Sequence, residues 1–163
     1  MIKVVTRTDG FHNYANTKST VILSFTTALL ALIIANLENC YTILNSSHIP
    51  HVRFVFTILI FSVFSLLFAA LYFISKTIIP NTDKSRTKNI YSFIDIYSNL
   101  TEDEYKSEVA SARKNELVIS MCDLQYNLSN SLNKKYFYHK RAVVCLTNVL
   151  LIIVMLSLIL IFK

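Results

Sequence analysis

The sequence predicts an all-α integral membrane protein with three transmembrane helices and a helical cytoplasmic insert between the second and third. Three observations predict it. Hydrophobic residues make up 53% of the 163 positions and charged residues only 16%, against about 25% charged in ordinary soluble domains. The apolar residues are gathered into three uncharged blocks, not spread at the 2.0 or 3.6 period of a soluble core. One glycine, two prolines and no tryptophan leave little material for tight hairpins, a P-loop or a Rossmann turn, all of which need glycine where the backbone takes positive φ or meets a phosphate. Disorder, an all-β fold and a nucleotide-fold enzyme are thereby excluded, and one domain over residues 1–163 is expected.

The spans come first. Residues 19–37 carry no charge, close to the ~20 residues needed to cross a bilayer core. Residues 54–75 run uncharged between Arg53 and Lys76, and residues 142–162 between Arg141 and Lys163. Each fits one crossing, and three such stretches cannot hide as core helices in so small a chain. Lys3 ahead of apolar residues suggests a signal peptide, but residues 6–20 are too polar for its hydrophobic region, so an uncleaved first helix is expected.

Orientation follows from the basic residues, since cytoplasmic flanks carry the excess of lysine and arginine. Lys3, Arg7 and Lys18 precede the first span, Arg53 alone lies in the connection 38–53, and eleven basic residues lie in 76–141. A multi-pass protein of the cell inner membrane is predicted, with the N-terminus and 81–141 inside and the C-terminus outside. The net charge of +6 is thereby assigned to topology and anionic lipid head groups. No nucleic-acid partner is expected, because the cations split into two membrane-flanking clusters. Cys40, Cys122 and Cys145 fall in three different compartments, so no disulfide is expected.

Between the second and third spans, Pro80, Asn81, Thr82 and Asp83 end the helix, and a short linker to Lys88 follows. Ile90, Phe93, Ile94 and Tyr97 recur at helical spacing, as a short amphipathic helix or an extended piece. Thr101 with Glu104 three residues on is a capping box and starts a helix. No proline or glycine occurs from there to Phe162, and Tyr105, Val109, Ala112, Leu117, Met121, Leu124, Leu128 and Leu132 trace one face. A helix running from Asn115 into the last span would be roughly 70 Å long. Its leucine stripe needs a partner: residues 10–18, residues 90–97 or another copy of the chain.

Chemistry has little to work with. His12, His48, His51 and His139 are scattered, no metal-ligand or nucleophile spacing occurs, and the spans hold no ionisable side chain besides Tyr72 and Cys145. No enzyme, metal or cofactor is expected. Packing surface is present instead: Ser24, Ala28, Ala31 and Ala35 form a small-residue face on the first span, Ser62, Ser65 and Ala69 another on the second. Such faces let helices approach closely in lipid, which predicts a homo-oligomer. Asn36 and Asn148 are candidates for hydrogen bonds across helices or to interfacial water.

Two stretches resemble a known family. Residues 11–20, with Tyr14, Ala15, Lys18 and Ser19 leading straight into a span, resemble the polar lead-in of the transmembrane effectors of the Pycsar anti-phage defence system. Asn16 stands where that family usually has aspartate. Residues 123–129 (DLQYNLS), followed by Lys135 and Tyr136 and preceded by the acidic start Glu102, Asp103, Glu104, Tyr105, are similar to the family's helix before its last span. The resemblance implies a membrane effector that responds to a cyclic pyrimidine mononucleotide from a companion cyclase and impairs the inner membrane. A receptor for such an anion needs cations for the phosphate and aromatic or amide groups for the base. His12, Tyr14, Asn16, Lys18, Gln125, Lys135 and Tyr136 are the candidates, set against plain contact of the lysines and tyrosines with the bilayer. A scaffold that binds a partner through its cytoplasmic helices and a holin-like pore former are the alternatives.

Overall fold

The computed structural model describes residues 2–45, 50–79 and 89–161. Five helices follow in order: α1 (Ile2–Asn45), α2 (Pro50–Ile78), α3 (Phe93–Asn99), α4 (Glu102–Ser111) and α5 (Lys114–Ile161). No strand occurs among the described residues. α1, α2 and α5 are long and apolar enough to cross a membrane, and they contain the predicted spans as far as residue 161. The chain divides into two compact units, Met1–Ala15 with Ile79–Lys135, and Asn16–Ile78 with Tyr136–Lys163.

The connection expected over 38–53 is largely helical. α1 runs on to Asn45 and α2 begins at Pro50, where the ring's fixed φ and missing N–H suit a first helical position. The reason is packing: Leu44 is buried, Tyr41 meets Phe56 edge-on at 5.8 Å, and the Tyr41 hydroxyl lies 3.3 Å from Thr57 Oγ1. The turn expected at 80–83 and the linker to Lys88 lie outside the described residues.

Each long helix carries buried and half-buried residues at alternating steps of four and three. On α2 the row is Phe56, Ile60, Val63, Leu67, Ala70, Ile74 and Thr77. On α5 it runs Met121, Gln125, Leu128, Leu132, Lys135, His139, Ala142, Leu146, Val149, Ile153, Leu156 and Leu160. On α1 it runs Thr8, His12, Ala15, Ser19, Ile22, Thr26, Leu29 and Ile33. A repeat of 3.5 residues keeps one seam of a helix facing its neighbours, the geometry of left-handed helix packing.

In the second unit these seams close on one apolar cluster of Leu44, Phe56, Val63, Leu67, Ala70, Leu146, Val149 and Leu156, flanked by Ile22, Leu29 and Ile33. Hydroxyls in the apolar stretches donate to their own helix: Ser24 to the Thr20 carbonyl, Thr26 to Ile22, Thr147 to Val143. Asn36 and Asn148 do likewise, to Leu32 and Val144 at 2.8 and 3.0 Å. That differs from hydrogen bonds across helices, and it spares the amide an unmet donor in hydrocarbon. Ser24, Ala28, Ala31 and Ala35 are all exposed, so the chain's own packing does not use that face.

In the first unit, the capping box at Thr101 is formed, with the Thr101 Oγ1 accepting from the Glu104 N–H and the Glu104 carboxylate accepting from the Thr101 N–H. The helix it starts does not run on to the last span. It stops at Ser111, with Ala112 extended at ψ 131°, and α5 restarts at Lys114 with the Arg113 N–H donating to the Glu116 carboxylate. The stop occurs without proline or glycine: the Ala112 N–H closes the last turn onto the Glu108 carbonyl, Ala112 then takes an extended ψ, and the Glu116 carboxylate supplies a new start. The stripe before the break stays outside the core, because α4 buries no residue. Residues 93–99 are helical, as the spacing allowed, with Asp95 buried and Tyr97 92% exposed.

Candidate functional site

The first unit carries a polar seam between the start of α1 and the first half of α5. Thr8 and His12 lie one turn apart on α1, and Gln125, Leu128 and Ser129 lie within one turn of each other on α5. His12 Nε2 is 2.9 Å from the Leu128 carbonyl. A carbonyl only accepts, so that nitrogen carries the proton and donates. Gln125 Nε2 donates to Thr8 Oγ1 at 2.8 Å and to Ser129 Oγ at 3.3 Å, while Thr8 Oγ1 gives its own proton to the Val4 carbonyl. Both amide hydrogens are therefore used, and the buried Gln125 carbonyl oxygen meets no donor among the described residues. An orphaned buried acceptor costs on the order of 1–3 kcal/mol.

The same unit ties its irregular segment to α5. Asn89, buried, donates from Nδ2 to the Ser120 carbonyl at 2.7 Å and accepts from the Tyr91 N–H. So the first half of α5 is met by the N-terminal segment and by Asn89. Of the three partners expected, residues 10–18 meet α5 at His12; the other contact comes from Asn89, just ahead of the 90–97 piece.

A second polar group sits in the other unit, where the apolar stretches of α1 and α5 begin. Ser19 is fully buried, and its hydroxyl lies 3.2 Å from His139 Nδ1. Burial, reinforced by the Lys18 ammonium, lowers the His139 pKa from the ordinary histidine value. The imidazole is thereby held toward its neutral form.

The seven predicted ligand residues divide between these groups. His12 and Gln125 meet in the polar seam of the first unit. Lys135, also in that unit, is buried, and burial lowers its pKa. Tyr14 is half exposed. Asn16, Lys18 and Tyr136 belong to the second unit. The Asn16 carbonyl accepts from Thr20 Oγ1, Lys18 acts on His139, and the Tyr136 side chain is exposed.

Thr8, Ser129, Ser19 and His139 were missed as site residues. The four-and-three spacing of Thr8, His12, Ala15 and Ser19, continued into the apolar span, is the signal that would have found the α1 members.

Among the described residues no group of three histidine, cysteine or acidic side chains is placed to hold a metal ion. Cys40, Cys122 and Cys145 are free thiols. The arrangement is that of a helical membrane protein with polar contacts on its seams.

No curated protein and no solved structure matches this chain. A family model described as the Pycsar effector protein domain matches residues 1–162, which agrees with the resemblance carried by Tyr14, Ala15, Lys18, Ser19 and the 123–129 stretch. With three apolar helices of membrane-crossing length and nearly the whole chain covered, the protein belongs to the Pycsar effector family and is a membrane-associated anti-phage defence effector.

Proposed function

We propose that this chain is the membrane arm of an infection-triggered response: it binds a cyclic pyrimidine mononucleotide and then, as a homo-oligomer, impairs the integrity of the inner membrane. The match over residues 1–162 carries the reading. The expected topology, with the N-terminus and 81–141 inside and the C-terminus outside, puts the Thr8–His12–Gln125 seam on the side where a cyclase product accumulates. The protein acts without catalysis in this reading, and its work is a change in helix packing.

Gln125 supports the ligand half of the proposal. Its buried oxygen meets no donor among the described residues, and a base bearing an amine or imide N–H offers one. Phosphate charge is met by Lys135, with His12 and Tyr14 as further contacts of the same unit; Lys18, Asn16 and Tyr136, of the other unit, form a separate candidate group.

Co-expression with a companion cyclase tests it. Lys18→Ala, Lys135→Ala and Gln125→Met are each expected to insert into the membrane, to be harmless alone and to abolish the toxicity that appears when the cyclic nucleotide is made. Full toxicity in all three would overturn the assignment of these residues. Toxicity without any cyclase would overturn the ligand dependence itself.

A further inference from the structure

We propose that the seam between the end of α2 and residues 137–141 of α5 is a binding site for the head group of an anionic phospholipid. The site lies wholly in the second unit and uses none of the groups assigned to the cyclic nucleotide.

Two cations are held there on aromatic rings from both helices. The Arg141 guanidinium lies over Phe137, 4.3 Å from the ring centroid, and over Phe73 at 5.8 Å. Lys76 Nζ lies over Tyr72 at 5.8 Å. The rings are themselves packed together: Tyr72 meets Phe73 at 5.6 Å, Phe73 stacks on Tyr138 at 6.4 Å with 22° between planes, and Phe137 meets Tyr138 at 5.7 Å. One continuous aromatic cluster thus fixes both charges.

A cation over a ring gains from the quadrupole of the π face. A guanidinium so placed keeps its five N–H donors in its own plane, where they still suit the fork of two phosphate oxygens. No carboxylate of the described residues is paired with Arg141 or Lys76, and both are exposed. An exposed guanidinium and ammonium held in this way present themselves to an anion.

The surface beside the cations says which anion. From Tyr72 an exposed row runs back along α2 through Phe68 and Phe61. From Arg141 another runs forward along α5 through Val144 and Leu151. Both rows keep the helical spacing that holds side chains on one face. The site is cationic at one end and apolar along its length, as an amphiphile with a phosphate head and acyl chains requires.

The test uses the full chain in nanodiscs of phosphatidylcholine with a minor share of phosphatidylglycerol, and reads by mass spectrometry the phosphatidylglycerol retained on the protein. Wild type is expected to enrich the anionic lipid. Arg141→Gln and Lys76→Gln should each lower the enrichment by about fivefold, as loss of one surface cation does, and the double variant should abolish it. Lys106→Gln, on the exposed α4, should leave it unchanged. Arg141→Lys keeps the charge without the fork and should fall between wild type and Arg141→Gln. Circular dichroism and gel filtration identify any variant that has lost its helices. If only Arg141→Gln does so, Arg141→Lys and Lys76→Gln decide the matter.

Enrichment equal to wild type in the double variant would overturn the proposal. So would displacement of the lipid by millimolar glycerol phosphate, which would make the site one for free phosphates. Toxicity with the cyclase is a separate readout, so failure here leaves the nucleotide reading standing.

Discussion

The same two helices, α1 and α5, are built differently at their two ends. In the second unit their seams present Ile22, Leu29, Leu146, Val149 and Leu156 to α2, and Val63, Leu67 and Ala70 are fully buried there. In the first unit the seams present Thr8, His12, Gln125 and Lys135, and the buried residues of that unit include Asn89 and Asp95. The repeat is continuous, but the chemistry changes. An apolar seam is held by close contact summed over many atoms. A polar seam is held by a few directed bonds, each of which water or a ligand can replace at little net cost. The seam of the first unit is therefore the one whose contacts a polar molecule can replace, and the seam of the second unit is held by packing.

The largest expected effect lies in the apolar half. Leu67→Ala removes a fully buried side chain and should destabilise the protein by about 2–5 kcal/mol, read as a lowered midpoint of denaturation by sodium dodecyl sulfate in mild detergent. Phe61→Ala, on the exposed face of the same helix, should move that midpoint little. Equal effects would break the comparison.

Next, Thr101→Ala deletes the capping box and should cost about 1 kcal/mol. The loss should show as faster hydrogen exchange at 102–105, with no change in α2. Slowing of exchange there would contradict the cap.

Smaller, and of opposite sign, is Gly10→Ala. Gly10 lies inside α1, and a Cβ built on it meets nothing within 4 Å. The substitution should stabilise the first unit by about 0.5–1 kcal/mol through backbone entropy and helix propensity, seen as slower exchange of the α1 amides around it.

The smallest effect sharpens the boundary at Ser19 and His139. The folded His139 pKa is lowered, so as pH falls through the ordinary histidine value the unfolded chain takes up its proton first, and stability falls with it. Melting temperature should drop between about pH 7.5 and about pH 5.5, and His139→Asn should flatten part of that slope. An unchanged slope would remove His139 from the account.

Much of the fold was legible because lipid imposes a coarse rule. A stretch of about 20 residues without charge must be a helix, since no other open element satisfies its backbone in hydrocarbon, and residues 19–37, 54–75 and 142–162 obey it. Thr101 and Glu104 were legible for the opposite reason: a capping box is local, complete within four residues. The stop at Ser111 was not, because no proline or glycine marks it and the apolar spacing suits one continuous helix as well as the two that Ala112 and the Glu116 start divide. The helical connection around Tyr41 was missed because it rests on the Phe56 and Thr57 contacts of another helix. Of the candidate site, His12 and Gln125 were named from the family likeness, but their partners Thr8 and the Leu128 carbonyl belong to a pairing between residues more than a hundred positions apart.

By itself, then, the sequence determined the class, the three spans and the family, because uncharged length and short motifs are properties of a segment read alone. The tertiary structure decided which face of each span is buried, which polar groups pair, and that Ser24, Ala28, Ala31 and Ala35 are left outward while Ile22, Thr26, Leu29 and Ile33 turn in. Both rows on α1 are small or apolar enough to pack. Only the three-dimensional arrangement of α2 and α5 decides between them, since burial is a relation between helices and no single helix carries it.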